Sequence, residues 1–78
     1  MNHTIIAAAG QVEAHTFADE PGYCWVVRPL DAPATDLVKV LAACHQAGYE
    51  GVTGQWAEAD ANDPDSVYDY IELGLKEA

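Results

Sequence analysis

From Thr4 the chain stays apolar through Ala8 and is closed by Gly10, the pattern of a short strand. Gln11 to Ala18 then alternates, with Val12, Ala14, Thr16 and Ala18 on one side and Gln11, Glu13, His15 and Phe17 on the other. A period of two predicts a half-buried strand. In Asp19-Glu20-Pro21-Gly22, proline presets φ at the second turn position and glycine accepts the positive φ that a type II turn requires at the third. A hairpin follows, whose returning strand is Tyr23 to Arg28. It puts Tyr23, Trp25 and Val27 on one face and Cys24, Val26 and Arg28 on the other, and Pro29 should end its pairing.

The period then changes. Leu37, Val40, Leu41, Cys44 and Gly48 fall at helical spacing, with Thr35 as N-cap, Gly48 as the C-terminal stop, and Asp36 and His45 placed to suit the helix dipole. Gly51 to Ala57 reads as a strand, short or bulged because of its two glycines, with Val52, Gly54 and Trp56 on one side. A second helix is expected to begin at Asp63, which can cap it, with Pro64 at its first position. Val67, Tyr70, Ile71, Gly74 and Leu75 would be its buried stripe. Asp65, Asp69, Glu72 and Lys76 would then cluster within about 60° on the opposite side. The order strand, strand, strand, helix, strand, helix predicts an α+β fold: a small, mainly antiparallel sheet of about four strands with two helices packed on one face. Residues 1–78 would make a single acidic α/β domain. A helix between the third and fourth strands allows a right-handed crossover if those strands run parallel.

Composition supports folding, since 50% of the residues are apolar, too many for a disordered acidic tail. A chain of 78 residues buries only about 60% of the surface its unfolded form exposes, enough for one core. Charge changes the picture more. Thirteen Asp and Glu face only Arg28, Lys39 and Lys76, a net charge of −10, and seven of the acids lie from Glu58 onward. Such a field repels nucleic acid and anionic membranes and speeds encounter with basic proteins. The apolar run from Ile5 to Ala9 is too short, and too poor in flanking basic residues, for a signal peptide or a transmembrane helix. The protein is therefore expected in the cytoplasm, as a monomer, with Cys24 and Cys44 reduced and serving as small core hydrophobes.

Catalytic and metal chemistry find little support. His3, His15 and His45 with Cys24 and Cys44 offer no pair at the close spacing that puts two ligands on one turn, so no metal or cofactor is expected. Ser66 is the only serine, has no nucleophile-elbow sequence around it, and is explained by local capping. Gly48, Gly51 and Gly54 are spaced unlike a dinucleotide fingerprint and have no Lys or Arg nearby to meet phosphate. The expectation is a protein that is not an enzyme. Of Tyr23, Trp25, Trp56, Tyr68 and Tyr70, two in three are expected in the core and the rest as interface anchors.

The remaining signal is the acidic surface of Glu58, Asp60, Asp63, Asp65, Asp69 and Glu72. Its carboxylates would imitate the regular negative charge of a nucleic-acid backbone and occupy a Lys/Arg groove built for it. Solubility and a halophilic origin are plainer explanations of the same acids. Through its size, its acidity and the segment Asp63-Pro64-Asp65-Ser66-Val67-Tyr68-Asp69-Tyr70, the whole chain resembles the small acidic phage-encoded anti-CRISPR proteins, inhibitors of type I surveillance complexes, with type I-C among the candidate subtypes. That resemblance implies stoichiometric binding to the crRNA-guided Cascade complex inside a host bacterial cell, a block on target-DNA binding, and no catalysis. An immunity or antitoxin-like inhibitor of a nuclease, or of another basic nucleic-acid-binding protein, is the alternative of the same class.

Overall fold

A computed structural model of the chain describes residues 3–75. Five strands and one helix follow in the order β1 (His3–Ala9), β2 (Val12–Phe17), β3 (Tyr23–Pro29), α1 (Ala34–Gln46), β4 (Tyr49–Asp60) and β5 (Asp63–Leu75). They form an α+β structure in which one antiparallel sheet, with strand order β1-β2-β3-β5-β4, carries the helix on one face.

The first half follows the sequence pattern closely. β1, β2 and β3 pair as an antiparallel meander, with Ala14 opposite Val26 and His15 opposite Trp25. Pairing does not stop at Pro29, which stands opposite Tyr68; the next amide, Leu30 N, donates to Val67 O at 3.3 Å. The helix starts one residue earlier than its expected cap. Pro33 is the N-cap, without a side-chain cap, and Thr35 lies in the first turn. At the other end Ala47 is the C-cap, and Gly48 takes φ +99°, a backbone conformation that residues with a side chain rarely adopt.

The second half departs from expectation. The segment from Asp63 is a 13-residue strand, not a helix, and it inserts between β3 and β4, so the expected second helix does not exist. Two patterns coexist there. Val67, Asp69, Ile71 and Leu73 repeat every second residue, whereas Val67, Tyr70, Ile71 and Gly74 repeat at helical spacing. Val, Tyr and Ile favour a pleated, half-buried surface. The strand also pairs on both sides, for example Val26↔Ile71 with β3 and Trp56↔Tyr70 with β4, which a helix would forgo. The capping chemistry of Asp63 is used nonetheless. Its Oδ1 accepts from Asp65 N at 3.3 Å and its Oδ2 from the Ser66 hydroxyl at 2.7 Å, in an Asx-type turn entering β5.

β4 is twelve residues long, with irregular register between Tyr49 and Gly51, Val52 and Gly54, and Ala59 and Asp60. The middle irregularity changes the side-chain phase, so Val52 stands opposite Leu73 while Gly54 stands opposite Glu72, and Val52 does not share a face with Trp56. Because β3 and β4 both run antiparallel to the β5 between them, they are parallel to each other, and α1 is their crossover.

The core lies between sheet and helix: Val12, Ala14, Cys24, Val26, Ile71 and Leu73 from the strands meet Val40 and Cys44 from α1. Leu37 and Leu41 pack at its edge. Gly10, in the β1–β2 turn at φ +58°, lets the helix seat there, since the Asp36 carboxylate occupies the space a Cβ would need.

Candidate functional site

The strand at Asp63–Leu75 redistributes the acids expected on one helix face. In a strand, neighbours point to opposite faces, so Asp69 and Glu72, three residues apart, cannot share one. Asp69 turns toward the helix side and is only 6% exposed. Its Oδ2 accepts from Arg28 Nε, directly opposite on β3, and from Gln55 Nε2, both at 3.3 Å. Asp69 thus holds three strands together and is not available to a partner. Glu72 lies on the other face, where its Oε1 accepts from the Thr53 hydroxyl at 2.6 Å. Lys76, expected beside them, lies outside the described residues.

Glu58, Asp60, Asp63 and Asp65 do gather, at the tip of the β4–β5 hairpin. Asp60 stands opposite Asp63, Glu58 opposite Tyr68, and Asp65 is exposed in the irregular stretch that follows Asp63. Two of them also have local work. Asp60 Oδ1 accepts from Asn62 N at 2.8 Å, shaping the turn, and Asp63 holds Asp65 N and Ser66 as described above. Ser66 accordingly serves the hairpin, not the start of a helix.

The face away from α1 carries the large side chains. Cross-strand rows run His15, Trp25, Glu72, Gly54 and, beside it, Glu13, Val27, Tyr70, Trp56. The aromatic residues expected largely in the core are instead all on this face, half-buried or exposed. Trp25 and Trp56 meet edge to face, with ring centroids 5.0 Å apart and planes at 76°. Trp56 stacks on Tyr70 at 5.6 Å and 7°. The Trp56 ring packs over Gly54, where a Cβ would meet its nearest carbon at 3.7 Å, an ordinary van der Waals contact. Near β1, the His3 ring lies 5.1 Å from that of His15 and 5.9 Å from that of Phe17, and His15 Nε2 is 3.2 Å from Glu13 Oε1. These rings enclose an open concavity of about 490 Å³, rimmed by the carboxylates of Asp19, Glu20 and Glu58. The Trp25 indole N–H is buried without an acceptor. The signal for this face was in the sequence as the alternation of Tyr68, Tyr70 and Glu72 against Val67, Asp69 and Ile71.

The cysteines sit on the opposite side, both free and fully buried, Cys24 on β3 against Cys44 on α1. The hydrogen bond between their side chains, and then burial, pushes the Cys24 thiol up. Among the described residues no three His, Cys, Asp or Glu stand close enough together to hold a metal ion. None of the described helices is long and apolar enough to cross a membrane. Compared with protein-family models, curated proteins and solved structures, the chain matches none.

Proposed function

We propose that this protein is a non-catalytic inhibitor that presents carboxylates to a basic, nucleic-acid-binding protein and so keeps nucleic acid from it. The observation that carries this reading is the segregation of charge. Asp19, Glu20 and Glu58 rim the open face, Glu72 lies on it, and Asp60, Asp63 and Asp65 stand at the β4–β5 hairpin tip, which begins two residues beyond Glu58. The described Lys and Arg side chains belong to the other layer: Arg28 is engaged by Asp69, and Lys39 lies on α1. A surface of one sign attracts its opposite over roughly a Debye length, about 8 Å at physiological salt, and repels phosphate. On the resemblance already drawn, the partner is a subunit of the type I Cascade complex, bound stoichiometrically with target-DNA binding blocked.

The test is to titrate purified protein into crRNA-loaded Cascade, and separately into a panel of basic nucleases, while measuring DNA binding or cleavage across a salt series. Inhibition complete near one equivalent and weakening with salt is expected. Paired reversal of two exposed acids, Glu58→Lys with Asp65→Lys, should weaken it at least tenfold while leaving the melting temperature nearly unchanged, because exposed charges contribute only about 0–1 kcal/mol to stability. Inhibition of a nuclease alone would move the partner to the immunity-protein class. Inhibition insensitive to both salt and charge reversal would remove the acidic surface from the explanation.

A further inference from the structure

We infer that the aromatic concavity on the open sheet face is an arginine-binding groove, in which a guanidinium of the partner is held against the aromatic wall of Trp25, Trp56 and Tyr70 and by the carboxylates at the rim. This rests on the reading of the protein as a binder of basic proteins, and assigns the place and the chemistry of the grip.

Three features converge on that occupant. First, the walls are aromatic: Trp25 and Trp56 form a right-angled corner, Tyr70 lies parallel to Trp56, and Trp56 is 36% exposed. Aromatic faces carry negative charge density and attract a cation placed over them. Second, the walls carry three carboxylates, with His3 and His15 at the β1–β2 side. Asp19, Glu20 and Glu58 line the concavity with no Lys or Arg, and none of these three is ion-paired among the described residues. An anionic or purely apolar ligand would leave these carboxylates repelled or desolvated, whereas a cation satisfies them. Third, the face is uncovered, because the only described helix lies on the other side of the sheet.

Between the two basic side chains, arginine fits better than lysine. The guanidinium is planar, so it can lie flat on an outer side of the Trp56–Tyr70 stack while its edge donates paired hydrogen bonds to a carboxylate such as Glu58. It is also more weakly hydrated than an ammonium and gives up less on entering an apolar-walled groove. Position adds a further argument: Glu58 belongs both to the rim and to the acidic hairpin tip, so one docked basic segment could reach both.

The experiment uses three capped octapeptides as probes, alternating serine with arginine, with lysine or with citrulline, the last matching arginine in shape without its charge. Binding to the full chain is followed at low salt by the two indole N–H resonances and by tryptophan fluorescence. The arginine peptide is expected to shift both indole signals and to bind at least about tenfold more tightly than the citrulline peptide and measurably more tightly than the lysine peptide. Trp56→Ala should weaken it about tenfold, with a thermal melt to confirm folding, and Glu58→Gln should weaken it without touching the rings. If the arginine peptide binds while the indole signals stay still, or binds no more tightly than the lysine peptide, or if folded Trp56→Ala and Glu58→Gln bind like the parent, the groove is overturned and the acidic-surface reading stands. If neither basic peptide binds at low salt, both are overturned.

Discussion

The two faces of the sheet are made by the same strands and are built on opposite principles. Toward the helix the side chains are small and apolar, Val12, Ala14, Cys24 and Val26, joined by Ile71 and Leu73, and every one is under a tenth exposed. Away from it stand Trp25, Trp56, Tyr68 and Tyr70 with the carboxylates of Glu58 and Glu72, none of them fully buried. The usual economy of a small protein would put its largest rings inside, where they bury the most area. Here a single 13-residue helix closes the core, and small residues let it approach the sheet closely. Stability therefore resides on one face, and the side chains best suited to gripping a partner are left on the other.

Exchanging adjacent residues of β5 should break that comparison most sharply. Ile71→Asp places a carboxylate in the core against Val26 and should unfold most of the population, since such a charge costs more than a domain with about 5–15 kcal/mol of stability readily tolerates. Tyr70→Asp, one residue earlier on the open face, should cost about 1 kcal/mol through the lost Trp56 stack. Thermal melts followed by circular dichroism compare the two, and similar melting temperatures would mean that the faces are not divided as described.

The one acid on the covered face offers the next test. Asp69→Ala leaves the Arg28 guanidinium, 24% exposed, and the Gln55 amide without their shared acceptor and should cost about 1–3 kcal/mol in urea unfolding. Glu58→Lys on the open face provides the contrast, and should fall within about 0.5 kcal/mol of the parent. Equal effects would show Asp69 to be as solvated as Glu58.

Alkaline pH sharpens the comparison from another side. Because the Cys24 thiol is pushed up in the folded protein, its contribution to stability is intact below the ordinary thiol range. Above about pH 8.5 the unfolded Cys24 thiol ionises ahead of the folded one, so this group takes stability away as pH rises, while the shared hydrogen bond lowers the Cys44 thiol and works in the opposite sense below the ordinary thiol range. Cys24→Ala should lower stability at neutral pH and flatten the alkaline slope. A Cys24→Ala variant whose urea midpoint changes between pH 8 and pH 10 as the parent's does would contradict the coupling of Cys24 to Cys44. In native buffer both cysteines should also resist thiol reagents, being fully buried.

How much was legible in the sequence follows from where the information is local. The β2–β3 hairpin needs only alternation and a Pro-Gly turn, and α1 needs only an apolar stripe and a terminal glycine, so these elements could be read from the residues alone. So could the burial of Cys44 and the excess of acid. The fate of Asp63–Leu75 was not local. Its residues satisfy a period of two and a period near 3.6 at once, and Asp63-Pro64 caps a turn as readily as it starts a helix. What decided it was the slot between β3 and β4, where a strand gains hydrogen bonds on both edges and Asp69 meets Arg28 across the ladder. That single tertiary choice buried Asp69, split it from Glu72, and set Tyr68 and Tyr70 beside Trp56. The sequence by itself determined how much acid and how many aromatic rings the protein carries; only the pairing of distant strands decided which of them share a face, because a pleated sheet assigns each side chain by register and not by its place in the chain.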